Sequence, residues 1–120
     1  MERRTELRIK RALECAIYTE DGEYAGRIVD VSREGLAFEV DTAIGVEISE
    51  LLTVSVCDSY VDMQGERKLF TENVKGTVKN IVHTEDSKIR YGCYIHNWAY
   101  QAYLQDLYTV NACGKLDNRL

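Results

Sequence analysis

The 120-residue chain contains no proline, so its turns have to be signalled by glycine and by pairs such as Asp21-Gly22. No stretch reaches the roughly 18 consecutive apolar residues that a membrane helix needs, so no span is expected. Met1-Glu2-Arg3-Arg4 leads into more charge rather than into an apolar segment, so no signal peptide is expected and a cytosolic location is. The four cysteines (Cys15, Cys57, Cys93, Cys113) include no Cys-x-x-Cys pair. Zinc is therefore not expected, nor is a disulfide framework in a cytosolic chain, and the cysteines read as small, half-buried apolar residues. Only two histidines occur, His83 and His96, and they do not stand in a metal-ligand spacing. Gly-x-Ser-x-Gly, Gly-x-Gly-x-x-Gly and the phosphate-binding Gly-x-x-x-x-Gly-Lys-Ser loop are all missing, and Ser32 has no histidine near it in sequence. Nothing nominates an enzyme.

Net charge is unevenly placed along the chain. The formal net charge is −5. Residues 1–11 hold five basic side chains against two acidic ones, a net +3, which leaves −8 for the remainder. A polyanion would be repelled by most of such a surface, so DNA and RNA are poor partners. A small anion that the basic segment alone can grasp fits better. Residues 1–11 lack apolar periodicity and read as an arm that is mobile until an anion orders it. Arg4 and Arg8 are spaced i, i+4 within it.

What is present is a run of short alternating segments. Residues 12–19 read as a first strand, with Glu20 to Glu23 as a turn. Tyr24 to Ser32 reads as a second strand and Gly35 to Val40 as a third, whose Leu36, Phe38 and Val40 share a core-facing side. After an irregular connector at 41–50 containing Gly45, Leu51 to Cys57 alternates as a fourth strand. Asp58 to Arg67 reads as a long loop. A fifth strand lies within 68–83, a turn at 84–87, and a sixth at 89–96, where Gly92 suggests a bend, a bulge or a close backbone approach. Periodicity then changes: Tyr100, Tyr103, Leu104, Leu107 and Tyr108 form a helical stripe. Asn97 is its N-cap and Gly114 its stop. The predicted fold is all-β with one C-terminal helix, a six-stranded antiparallel β-barrel. It divides into an arm at 1–11, a barrel with helix at 12–114 and a fraying tail at 115–120.

The segment Asp30-Val31-Ser32-Arg33-Glu34-Gly35 joins the second and third strands. Asp30 and Ser32 share a strand face and present a carboxylate beside a hydroxyl. Gly35 stands where a tight turn would use positive φ.

Together, Arg4-x-x-x-Arg8 and Asp30-x-Ser32-x-x-Gly35 resemble the PilZ domain, the bacterial receptor domain for cyclic di-GMP. The resemblance covers most of the chain. Gly76-Thr77-Val78 is similar to the family's later Gly-x-Val strand. Residues 90–95 are similar to its last strand, with Ile95 where an aromatic is usual. The resemblance implies the family's split-barrel fold and no catalysis. It implies a cyclic di-GMP site made of Arg4, Arg8, Asp30, Ser32 and Gly35, with Arg3 also in contact and leaning towards an intercalated pair of ligands. No other cofactor and no metal is implied. Arginine forks suit phosphate oxygens and the guanine edge, and a carboxylate accepts N–H groups. The implied role is a receptor whose arm changes conformation on binding and signals to a downstream protein, without membrane insertion. The alternative is a module of the same fold that binds a protein and no nucleotide.

Overall fold

The computed structural model describes residues 8–118, with side chains described up to residue 111. Six strands run in order: β1 (Ile9–Thr19), β2 (Gly22–Val31), β3 (Gly35–Val40), β4 (Leu51–Val61), β5 (Arg67–His83) and β6 (Ile89–Ile95). One helix, α1 (Trp98–Asn118), follows. Every pairing is antiparallel, and the strands close into a barrel in the order β1-β2-β3-β6-β5-β4. Three residue pairs of β1 and β4 make the closing seam.

Alternation decides which side chains fill the interior. Leu36, Phe38 and Val40 of β3, with Leu52, Val54 and Val56 of β4, all point inward and are buried, as their spacing predicts. Phe38 stacks on Tyr91 of β6 with centroids 5.3 Å apart. The connector at 41–50 is irregular, and its Ile44 and Val46 join the core. Tyr100, Tyr103, Leu104 and Leu107 of α1 are buried in the same core. Asn97 caps the helix: its Oδ1 accepts the Tyr100 N–H at 2.9 Å.

Several boundaries differ from the sequence reading. β1 begins at Ile9, so residues 9–11 belong to the barrel and not to an arm. Ile9 is buried because its partner is Val31, 22 residues away, which no local pattern reveals. Asp58 to Arg67 is not a long loop. Residues 58–61 pair with 67–70, and the turn spans 62–66. The break in apolar alternation there comes from a buried carboxylate. Asp58 accepts Arg11 Nη2 at 2.5 Å and the Tyr103 hydroxyl at 2.6 Å. Burial alone would lower the Arg11 pKa, but the hydrogen bond and charge of Asp58 outweigh it and raise it. Finally, α1 continues through Gly114 to Asn118, so Gly114 is not its stop. A glycine inside a helix costs only about 1 kcal/mol.

Cys15, Cys57 and Cys93 are free thiols. Burial pushes Cys93 up to about 12 and Cys15 up to about 11, so both stay protonated at neutral pH.

Candidate functional site

Two bulges shape the outer surface over the β3–β6 pair. In β2, Ile28 and Val31 both point inward although three residues apart, because the register against β3 shifts between Ile28 and Asp30. That shift turns Asp30 outward. In β5, Val78 is inward and Ile81 packs against the core, with a register shift between Val78 and Asn80 against β6. The β3–β6 floor between them is low, since its outward positions include Gly35, Ala37 and Gly92. A groove of about 660 Å³ results, lined by Arg8, Asp30, Ser32, Gly35, Lys79, Tyr94 and their neighbours.

Arg8 precedes β1 and reaches across β2. Its Nη1 donates to Asp30 Oδ1 at 2.8 Å. This ion pair joins the two sequence motifs at one wall of the groove. Among the described residues it uses one nitrogen of the guanidinium and one oxygen of the carboxylate, which leaves further donors and acceptors on two side chains that both line the cavity.

The Ser32–Gly35 turn is closed by its own backbone. Ser32 N–H donates to Gly35 O at 2.7 Å, and Gly35 N–H donates to Ser32 O at 3.1 Å. The Ser32 hydroxyl is buried and leans on Gly35 O at 3.4 Å. Helix α1 grips the turn from beneath. The Tyr100 hydroxyl donates to Gly35 O (2.7 Å) and Ser32 O (3.1 Å), and burial pushes its pKa well up, which keeps it a donor. Gln101 Nε2 donates to Arg33 O at 2.8 Å, and the Arg33 N–H donates to the Tyr108 hydroxyl at 2.9 Å. The Arg33 guanidinium lies 5.0 Å from the Tyr108 ring centroid. The turn is therefore pre-organised by side-chain contacts from one helix.

Of the six residues expected to bind ligand, four come together here: Arg8, Asp30, Ser32 and Gly35. Arg3 and Arg4 lie outside the described residues. The reason for Gly35 differs from the expected one. Its φ is not positive. Instead, a Cβ at this position would stand 1.8 Å from Cys93 O, so glycine is required by the close approach of β6.

Sequence reasoning missed Lys79, Asn80, Arg90 and Tyr94, which also line the groove. Tyr94 is an instructive case. Ile95, noted for lacking an aromatic ring, is fully buried in the core and cannot face a ligand. The adjacent Tyr94 is 40% exposed and presents the aromatic surface. Strand parity, read from inward-pointing Tyr91 and Cys93, was the signal that could have found it. Arg90 is held on Glu39 by two nitrogens at 2.6 and 3.0 Å. Among the described residues no group of His, Cys, Asp and Glu could hold a metal ion, and no helix is long and apolar enough to cross a membrane.

Comparison with known proteins gives one family and several solved structures of similar fold. The family model of the PilZ domain matches residues 2–102. No curated protein matches the sequence. Among solved structures, the Bacillus subtilis inhibitor of motility MotI/DgrA is 18% identical, with a TM-score of 0.72 over 100% of this chain and 55% of that one. Escherichia coli YcgR in complex with c-di-GMP is 16% identical, with a TM-score of 0.65 over 99% of this chain and 51% of that one. The PilZ domain of YcgR with c-di-GMP is 14% identical, with a TM-score of 0.59 over 99% and 100%. The chain thus spans about half the length of the first two, and at these identities the likeness is one of fold.

Proposed function

This chain belongs to the PilZ domain family, and from that premise we propose that it is a receptor for cyclic di-GMP, held in the groove over β3 and β6. The observation that carries the proposal is the Arg8–Asp30 contact at 2.8 Å, which unites the two motifs at the edge of a cavity lined by Ser32 and Gly35 as well. Two structures of similar fold, both of YcgR, contain c-di-GMP.

The chemistry is one of recognition. Arg8 offers its remaining guanidinium donors to a phosphodiester while it still holds Asp30. The second oxygen of Asp30 accepts N–H groups from a guanine edge. Ser32 and Gly35, fixed by Tyr100, give the base a rigid floor, and Tyr94 offers a ring face for stacking. Arg4 and Arg3 close over the ligand from the N-terminal side, with Arg3 stacking on a base where a pair of ligands binds. Closure changes the surface offered to a partner protein in the cytosol, and that surface is the output. The chain performs no catalytic step.

Isothermal titration with cyclic di-GMP tests this reading. Saturable binding is expected. Arg8→Ala and Asp30→Ala should each weaken it by roughly 1.5–3 kcal/mol, the range for hydrogen bonds to charged groups, or about ten- to a hundredfold in Kd. No saturation at micromolar ligand would overturn the assignment. If the parent binds and both variants bind equally well, the ligand sits elsewhere.

A further inference from the structure

Resting on the reading above, we propose that the bulged pair Lys79–Asn80 forms the far wall of the ligand site, with Lys79 binding a phosphodiester and Asn80 reading a base edge. Neither residue belongs to the two sequence motifs.

Consecutive residues of a regular strand face opposite sides of the sheet. Lys79 and Asn80 do not. Both are exposed and both line the groove, while the residues flanking them, Val78 and Ile81, pack on the core. The register shift between Val78 and Asn80 makes this possible. It mirrors the shift in β2 that turns Asp30 outward, so both strands flanking the β3–β6 floor are bulged towards the cavity.

The pairing places the two walls in one row. Asp30 is opposite Ala37, Ala37 opposite Gly92, and Gly92 opposite Asn80. Three inter-strand steps of about 4.8 Å separate Asp30 from Asn80, roughly 14 Å along the sheet. Nothing larger than a methyl group stands between them on that row. Gly92 is part of the device, because a Cβ there would lie 2.5 Å from Asn80 Oδ1. Glycine lets the Asn80 carboxamide rest over β6 and point into the groove.

Charge supports the same division. Arg8 is engaged by Asp30 and Arg90 by Glu39. The Lys79 ammonium makes no hydrogen bond or ion pair among the described residues, so it is available to an incoming anion. A cyclic dinucleotide carries two phosphodiesters, and the arm side of the groove serves one flank. A flexible lysine supplies a point charge for the other. The Asn80 carboxamide supplies one acceptor and two donors, which suits the mixed donor and acceptor edge of guanine.

Titration of the parent, Asp30→Ala, Lys79→Ala, Lys79→Arg and Asn80→Ala with cyclic di-GMP, at two salt concentrations and with cyclic di-AMP as comparison, tests the proposal. Lys79→Ala should weaken cyclic di-GMP binding roughly tenfold and flatten its salt dependence, whereas Lys79→Arg should retain most of the affinity. Asn80→Ala should narrow the preference for the guanine over the adenine ligand. Both residues are exposed, and thermal unfolding should not shift. If Asp30→Ala loses binding while Lys79→Ala and Asn80→Ala match the parent in affinity, salt dependence and preference, the far wall is wrong and the groove assignment stands. If the parent does not bind, both fail together.

Discussion

Alanine at position 35 is expected to destabilise the protein by about 3 kcal/mol or more and to abolish ligand binding. The added Cβ would stand 1.8 Å from Cys93 O, 2.8 Å from Cys93 C and 3.0 Å from Tyr94 Cα. All three are backbone atoms of β6 and cannot rotate away as a side chain would. Strands β3 and β6 must therefore part where Gly35 pairs with Tyr94, beside the carbonyls that Tyr100 holds. Overpacking of a well-packed site costs about 1–3 kcal/mol and occasionally more, and a clash with backbone belongs at the upper end. Urea denaturation of Gly35→Ala beside the parent measures it. An unchanged midpoint would show that β3 and β6 do not approach this closely.

The second large effect lies on the opposite side of the barrel from the groove floor. Asp58→Ala should cost about 3 kcal/mol. Removing one partner of a buried ion pair costs about 3–5 kcal/mol, because the other charge stays behind unpaired. Here the Arg11 side chain keeps 27% exposure, so water screens part of the loss and the lower end applies. Among the described residues Arg11 Nε is already buried without a hydrogen-bond partner, which leaves the guanidinium little to turn to. The Tyr103 hydroxyl loses its acceptor as well. A double variant, Arg11→Met with Asp58→Leu, should recover most of the stability, since a packed apolar pair replaces the buried charges. Chemical denaturation of both variants decides the matter. A loss below about 1 kcal/mol in the single variant would mean that the pair is effectively solvated. Because Arg11 lies three residues after Arg8, this pair also fixes where the basic segment leaves the barrel.

The strands that follow simple alternation were legible in the sequence, and so was the helix. Leu36, Phe38 and Val40 announce β3, Leu52, Val54 and Val56 announce β4, and the Tyr100–Tyr108 stripe announces α1. Legibility ended where a long-range partner overrides the local pattern. Ile9 looks isolated until Val31 is placed beside it. Asp58 looks like loop until Arg11 and Tyr103 are seen around its carboxylate.

The groove was half visible for the same reason. Asp30, Ser32 and Gly35 are contiguous and carry a motif. Lys79, Asn80 and Tyr94 enter through strand pairing and a bulge, and a bulge leaves no mark on composition. Gly35 was found for the wrong reason. A glycine demanded by a neighbouring strand looks, in sequence, the same as one demanded by a turn.

The central claim is that cyclic di-GMP occupies the groove over β3 and β6, and amide NMR on the labelled protein tests it most directly. Titration should shift resonances of residues 30–37, 79–80 and 92–94, saturating together, while the β1–β4 seam at Ile17 and Val54 stays still. No shifts at saturating ligand, or shifts confined to residues away from the groove, would contradict it.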